Sequence, residues 1–198
     1  MAREGQVCVG GHRFIVSVLA SLVLAFAFPA PGANVVVYQR PPSDSSAMVS
    51  AWVDPDGSDS DMYAYDSFIL DADAAIAEVQ WRGTYAYGGQ YGRVTQFSIT
   101  FFESIAGGSE PHVNNPQLPE IYLAYFETGD TAGETAVPNT SQADYHFTLP
   151  TPFQASAGVK YWLRIEAFQT GYPDWSIAAA TSGGDGTYFR FSTGLAMF

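Results

Sequence analysis

Residues 159–168 read VKYWLRIEAF, and this alternation is the strongest strand signal in the chain. Successive side chains of a β-strand point to opposite faces, so every second residue shares a face. One set is apolar and the other is mixed, which predicts a strand with one core face and one mixed face. The apolar set is Val159, Tyr161, Leu163, Ile165 and Ala167, and the mixed set is Lys160, Trp162, Arg164, Glu166 and Phe168.

Similar strand-like stretches extend from this one in both directions. Residues 94–102 (VTQFSITFF) alternate well, and the face that carries Phe97, Ile99 and Phe101 is predicted to be the core side. Proline lacks a backbone donor, so Pro150-Thr151-Pro152 is predicted to end a strand. The other predicted strands are residues 35–38, 47–53, 62–70, 75–82, 121–127, 144–149, 175–180 and 187–192.

The pattern as a whole predicts an all-β fold. The chain has 14 Phe, 12 Tyr and 4 Trp, residue types that favour strands, and 19 Gly and 12 Pro that supply turns. No window holds a helical period for more than about two turns, so the long crossovers that parallel strands need are missing. We therefore predict an antiparallel two-sheet sandwich, jelly-roll-like, of about nine or ten strands.

The amino-terminal region has the features of a secretory signal. Arg3 and Arg13 precede residues 14–24 (FIVSVLASLVL), an uncharged apolar run that is typical of a signal peptide. A membrane span needs about 20 apolar residues, so we expect cleavage, and no membrane insertion after it. The cleavage site has two alternatives, after Ala27 or after Ala33.

These features predict a signal peptide over residues 1–33 and a single domain over residues 34–198, secreted to the periplasm or the extracellular space. The single cysteine, Cys8, lies upstream of the apolar run, so the mature domain carries no thiol. About 165 residues are enough to bury one hydrophobic core.

The charge balance argues against nucleic acid as a partner. The chain has 20 acidic and 8 basic side chains, a formal net charge of −12. Binding to phosphates requires clustered Lys and Arg, whereas the basic residues of the mature chain are scattered. They are Arg40, Arg82, Arg93, Lys160, Arg164 and Arg190.

An acidic loop stands out at residues 54–61 (DPDGSDSD). Calcium takes six to eight oxygen ligands, and closely spaced aspartates supply several of them from one segment. The loop lacks the Gly and Glu positions of an EF-hand. Two interpretations stay open: a solvated acidic turn, and a calcium site. The candidate metal ligands are Asp54, Asp56, Asp59 and Asp61.

A second notable segment is the Gly- and Tyr-rich loop predicted at residues 83–92 (GTYAYGGQYG). Tyrosine rings can stack on the C–H faces of sugars while nearby polar groups bind the hydroxyls. The alternative is that Trp81 belongs to the core and the tyrosines only cover the loop. The candidate ligand-binding residues are Trp81, Tyr85, Tyr87, Gln90 and Tyr91.

Support for an enzyme is weak. The mature chain has two histidines, His112 and His146, and neither a Gly-x-Ser-x-Gly elbow nor a His-Glu-x-x-His motif. Carboxylate pairs for a glycosidase can be drawn from any chain this rich in acids, so their presence predicts nothing. We expect a protein without catalytic activity.

Several short blocks resemble a loose group of bacterial exported β-sandwich domains that often accompany PEP-type carboxy-terminal sorting signals. The blocks are YDSFIL at 65–70, VQWRGTY at 79–85, FSITFF at 97–102, YWLRI at 161–165 and DWS at 174–176, and residues 194–198 resemble a final strand. The resemblance implies a jelly-roll-like domain outside the inner membrane, with no activity established for the group.

These observations rank the functions. We expect an exported, non-catalytic module that binds glycans, with calcium as its one candidate cofactor. The alternative is a structural or adhesive protein that binds other proteins or extracellular matrix, and a glycoside hydrolase is the outsider.

Overall fold

The computed structural model describes residues 42–53, 62–113, 121–170, 174–181 and 188–192, the last by its backbone. All of these residues belong to the compact unit Val36–Phe198. Several predicted features lie outside the described residues: the signal peptide at 1–33 with Cys8, the strand at 35–38, the aspartate loop at 54–61 and the closing residues 194–198.

The described residues form eleven β-strands, two of which are only two or three residues long. Within the described residues, no helix has the length and apolar character required to cross a membrane. The strands are β1 (Pro42–Val49), β2 (Ala51–Val53), β3 (Met62–Ile69), β4 (Ala74–Tyr85), β5 (Val94–Glu103), β6 (Ala124–Glu127), β7 (Thr135–Ala136), β8 (Gln142–Ala155), β9 (Lys160–Gln169), β10 (Trp175–Ala180) and β11 (Tyr188–Ser192).

The strands form two sheets, which confirms the predicted all-β two-sheet sandwich. Sheet A has the order β1-β10-β4-β8-β7, and sheet B has the order β11-β3-β2-β9-β5-β6, with β3 also pairing to β9. The pairings are antiparallel except for the short contact between β2 and β9, which is parallel. The central strand of sheet B, β9, is the one that the alternation at 159–168 predicts.

The core lies between the two sheets and is largely aromatic. Trp81 of β4 meets Phe97 of β5 with ring centroids 5.2 Å apart, and Phe101 of β5 stacks on Phe153 of β8 at 4.2 Å. Aromatic pairs in such geometry add about 1 kcal/mol each beyond their buried area. The predicted core faces of β5 and β9 are confirmed, because Phe97, Ile99 and Phe101 of β5 and Tyr161, Leu163, Ile165 and Ala167 of β9 lie in or against this cluster. Val159 is the exception, since it precedes β9 and is 43% exposed.

The opposite face of sheet B is also covered, which the alternation did not predict. Tyr65, Phe102 and Trp162 form a second apolar cluster there. Arg164 is 3% exposed and bonds to Glu166 at 3.4 Å. A charge taken out of water needs such a partner. The middle of the mixed face of β9, at Trp162, Arg164 and Glu166, is therefore buried, while Lys160 and Phe168 at its ends are partly exposed.

The predicted strand at 47–53 is divided at Ser50, where the chain crosses from sheet A to sheet B. The buried Ser50 hydroxyl donates to the carbonyl of Ile165 at 2.5 Å and accepts from the N–H of Ala64 at 3.2 Å. A single strand was the wrong prediction because the corner depends on partners far along the chain.

The prediction that Pro150 and Pro152 end a strand is also wrong, since β8 continues to Ala155. The register changes between the pairs Glu78–Thr148 and Ile76–Phe153, so residues 149–152 lie opposite a single residue of β4. Strand positions within a bulge do not all donate to the ladder, and prolines are tolerated there.

Candidate functional site

The predicted tyrosine loop begins later than residue 83. Residues 83–85 belong to β4 and pair with β10, where Tyr85 lies opposite Trp175. Gly83 is in close contact with the indole ring of Trp175, which leaves no room for a larger side chain. The turn that follows, residues 86–91, is called the tyrosine turn below.

Two of the predicted ligand-binding tyrosines meet on this turn. Tyr87 is 55% exposed and Tyr91 is 48% exposed, and their ring centroids are 5.4 Å apart at an interplanar angle of 82°. Gln90 is also exposed and lies between the two tyrosines in the sequence. Its backbone N–H donates to the carbonyl of Tyr87 at 3.4 Å. The turn thus places two aromatic rings and an amide at the surface.

The backbone of the tyrosine turn is held by the buried side chain of Asp174, which is 1% exposed. One carboxylate oxygen accepts from the N–H groups of Tyr87 and Gly89, both at 3.3 Å. The carbonyl of Asp174 accepts from the N–H of Ala86 at 2.8 Å. Hydrogen bonds to a charged acceptor are stronger than neutral ones, so the turn is fixed from beneath.

Gln169, the last residue of β9, joins the turn to the rest of the interior. Its amide nitrogen donates to the second oxygen of Asp174 and, at 2.8 Å, to the carbonyl of Gly92. Its amide oxygen accepts from the N–H groups of Asp174 and Trp175, both at 3.2 Å. Gly92 has φ 131° and lies directly against the carbonyl of Thr170, so the close approach requires a glycine.

A second network supports the end of β4. The hydroxyl of Tyr85 donates to Glu134 at 3.5 Å, and the hydroxyl of Tyr145 donates to the same oxygen at 3.4 Å. The indole N–H of Trp175 donates to Tyr145 at 3.2 Å, and Arg93 forms an ion pair with Glu134 at 2.5 Å. Burial raises the pKa of both hydroxyls, and the charge of Glu134 raises it further, so both stay protonated.

The structure separates Trp81 from the other predicted ligand-binding residues. Trp81 is 8% exposed and stacks on Tyr145 with ring centroids 5.7 Å apart. Its ring lies in the core, which agrees with the alternative interpretation and leaves it no face for a ligand. Tyr85 is half-buried, so Tyr87, Gln90 and Tyr91 remain as the exposed predicted residues.

A family model covers most of the chain, including the tyrosine turn and Asp174. The model, described as Domain of unknown function (DUF7901), matches residues 36–183. The chain belongs to the DUF7901 family. No curated protein and no solved structure matches it. An account of what this DUF7901 domain does therefore depends on its own site.

The predicted calcium ligands of the DUF7901 domain, Asp54, Asp56, Asp59 and Asp61, lie outside the described residues. In the part of the chain that the structure describes, no group of three or more His, Cys, Asp or Glu side chains is placed to hold a metal ion. The calcium interpretation of the loop stays a prediction.

No role was predicted from the sequence for Asp174, Gln169 or Glu134, which support the turn and the end of β4 in this DUF7901 domain. Asp174 and Tyr87 are 87 residues apart, and Tyr85 and Glu134 are 49 apart, so no local spacing reveals either contact. One signal was present in the sequence. In the block DWS at 174–176, an acidic residue directly precedes the tryptophan that begins a predicted strand. A carboxylate at that point needs donors nearby.

Proposed function

We propose that this chain is an exported, non-catalytic glycan-binding domain, and that the tyrosine turn is its binding surface. One observation carries the proposal: Tyr87 and Tyr91 are exposed on a turn whose backbone is bonded to the buried Asp174. Aromatic side chains are commonly buried when they serve only packing. A rigid turn that exposes two of them reduces the entropy lost when a ligand binds.

The surroundings of the turn suit a sugar. A tyrosine ring offers an apolar face for the C–H groups of a sugar, and its hydroxyl can bond to the sugar hydroxyls. Gln90 adds an amide that both donates and accepts. The proposal of export rests on the signal-like residues 1–33. The proposal also places the domain in the same setting as the exported sandwich domains that accompany PEP-type sorting signals.

A glycan array tests the proposal. We expect the wild-type chain to bind at least one glycan, and Tyr87→Ala and Tyr91→Ala each to lose at least tenfold in affinity, or about 1.4 kcal/mol. Tyr122→Ala is the matched control, because Tyr122 is 49% exposed and lies at a different place, just before β6. An array without any bound glycan overturns the proposal.

A structural or adhesive function is the second candidate, supported by an exposed apolar segment beside the edge strand β6. Ile121, Tyr122 and Leu123 are 42–49% exposed, and Leu123 lines an open groove of about 710 Å³. Clustered apolar side chains at a surface are typical of protein contacts. Self-association or matrix binding that Leu123→Ser abolishes, together with a clean glycan array, would favour this function.

Calcium binding at residues 54–61 remains part of the proposal as a stabilising cofactor. A ligand selective for the folded state raises its stability, by about 2.7 kcal/mol at a concentration one hundred times the Kd. We expect calcium to raise the melting temperature and EDTA to lower it, with no such response in Asp56→Asn/Asp59→Asn. Identical melts in calcium and EDTA would contradict calcium binding.

Glycoside hydrolysis gains no support from the acids beside the turn. Asp174 is buried and already accepts three hydrogen bonds, and Glu134 is engaged by Arg93 and two tyrosines. A general acid or nucleophile must reach the substrate. We expect no turnover in a screen of chromogenic glycosides.

A further inference from the structure

The outer edge of β8 is much longer than the strand beside it. β8 has 14 residues, whereas β7, which ends sheet A on that side, has two and pairs with Asp144 and Ala143. One further contact follows, from the N–H of His146 to the carbonyl of Ala132 at 3.0 Å. In the part of the chain that the structure describes, the second half of β8 is therefore an edge of the sheet.

Two prolines occupy positions that face this edge. The backbone N–H groups of an antiparallel strand point alternately to its two sides, and that of His146 points away from β4. By the same alternation, the backbone nitrogens of residues 148, 150 and 152 point outward, and all three residues are exposed. The alternation is the same on either side of the bulge, since Leu149 and Phe153 are both buried. Proline has no N–H, so Pro150 and Pro152 offer no donor to a neighbouring strand.

The same segment has no charge that would oppose the addition of a strand. Residues 147–155 read FTLPTPFQA, and no Asp, Glu, Lys or Arg occurs between Asp144 and Lys160. Edge strands are commonly protected by charged side chains, by proline or by a bulge. Without its prolines, an uncharged segment of alternating Phe, Thr and Leu is of the kind that pairs with a copy of itself. The protection of this edge therefore depends on the two prolines and the bulge in which they lie.

We infer that Pro150 and Pro152 prevent the outer edge of β8 from pairing with the same edge of a second copy of this chain. A two-fold axis places identical segments antiparallel, so one contact would satisfy both edges and extend sheet A from one molecule into the next. The inference goes beyond the proposed glycan binding and is independent of it, because it involves neither the tyrosine turn nor Asp174.

Size-exclusion chromatography with light scattering on the full chain tests the inference. The double variant Pro150→Thr/Pro152→Thr supplies two outward N–H groups and a residue type that favours strands. We expect its mean mass at high protein concentration to reach about twice that of the wild type or more, and to fall on dilution. The N–H groups of residues 148–152 should exchange with solvent at least about tenfold more slowly at high concentration than at low concentration.

The matched control is Pro150→Lys/Pro152→Lys, which removes the same prolines and places a charge at each position. Like charges on two facing edges oppose pairing, so this variant should keep the mass of the wild type at every concentration. Melting temperatures of the Thr and Lys variants that agree within about 3 °C would exclude a difference in folding as the cause of their different masses.

Three results would overturn the inference. The first is a Thr variant whose mass equals that of the wild type at all concentrations. The second is equal association of the Thr and Lys variants, because loss of the prolines would then act by disturbing β8 and not by making its edge available. The third is an association of the Thr variant that Leu123→Ser abolishes, since the contact would then lie beside β6. None of these results bears on glycan binding, which the array tests separately.

Discussion

The described part of the chain presents two exposed tyrosine pairs that look alike in composition and differ in how they are supported. Tyr87 and Tyr91 have ring centroids 5.4 Å apart, and Tyr122 and Tyr125 have centroids 5.6 Å apart. The first pair stands on a turn whose N–H groups bond to a buried carboxylate. The second is at an edge of sheet B, where the hydroxyl of Tyr125 bonds to the exposed Glu127.

This difference shows that two tyrosine pairs can be similarly exposed and yet differ in how firmly the rest of the structure holds them. Both pairs offer aromatic area, but the tyrosine turn is also connected, through Asp174 and Gln169, to the ends of β9 and β10. A ligand that meets rings already held in place loses less free energy to ordering than one that meets mobile rings. The most direct test of the comparison is therefore to compare substitutions that remove the buried support of the tyrosine turn with matched substitutions at exposed contacts.

The largest expected effect comes from Asp174→Asn. The amide cannot accept from the N–H groups of Tyr87 and Gly89 and from Gln169 at once, so buried donors lose their partner. We expect the free energy of unfolding, measured by urea denaturation, to fall by about 3 kcal/mol, and glycan binding to weaken with it.

Asp130→Asn is the matched control, because the exposed side chain of Asp130 also accepts a backbone N–H, from Ala132 at 2.8 Å. Its expected loss is below about 1 kcal/mol, since the amide oxygen of Asn can accept the same N–H. Equal losses in the two variants would mean that Asp174 is an ordinary turn residue.

A smaller effect is expected for Tyr145→Phe. The change leaves the buried indole N–H of Trp175 without its acceptor and removes one donor to Glu134. We expect the free energy of unfolding to fall by about 1.5 kcal/mol at neutral pH. Tyr125→Phe, which loses a surface hydrogen bond to Glu127, should change it by less than about 0.5 kcal/mol. The reverse order would contradict the comparison.

Alkaline pH should also lower the free energy of unfolding, through the hydroxyl of Tyr145. Burial raises the pKa of Tyr145 above the ordinary value of about 10, so the folded state holds this proton more tightly than the unfolded state does. Its contribution to stability is complete below about pH 10 and is lost as the pH rises further, by up to about 1.4 kcal/mol per pH unit.

Urea denaturation at a series of pH values from about 8 to 12 measures this slope. Tyr145→Phe has no phenol to titrate, so its stability should decline less steeply than that of the wild type above about pH 10. Parallel curves for the two proteins would show that Tyr145 does not contribute to the alkaline loss.

The smallest effects on stability belong to the exposed rings themselves. Tyr87→Ala and Tyr122→Ala should each change the free energy of unfolding by less than about 0.5 kcal/mol, because both rings are about half exposed. Melting curves should therefore be nearly identical while glycan binding is lost in the first variant alone. A large loss of stability in Tyr87→Ala would indicate that its ring serves packing.

Local pattern was sufficient for much of the fold. The core faces of β5 and β9 followed from a period of two, which depends only on neighbouring residues. The interruption at Ser50 and the continuation through Pro150 did not follow, because both depend on pairing with strands that are distant in sequence. The same local reasoning placed Tyr87, Gln90 and Tyr91 together, since they share one turn.

The sequence by itself determined the all-β class, the apolar sides of the main strands and the position of a tyrosine-rich turn. Each of these follows from composition and alternation within a few residues. Only the tertiary structure decided that Trp81 is core, that Asp174 and Gln169 hold the turn, and that the rings of Tyr87 and Tyr91 stand nearly perpendicular. Burial, hydrogen bonding and ring orientation depend on partners from other strands, which chain folding brings together and which no local pattern contains.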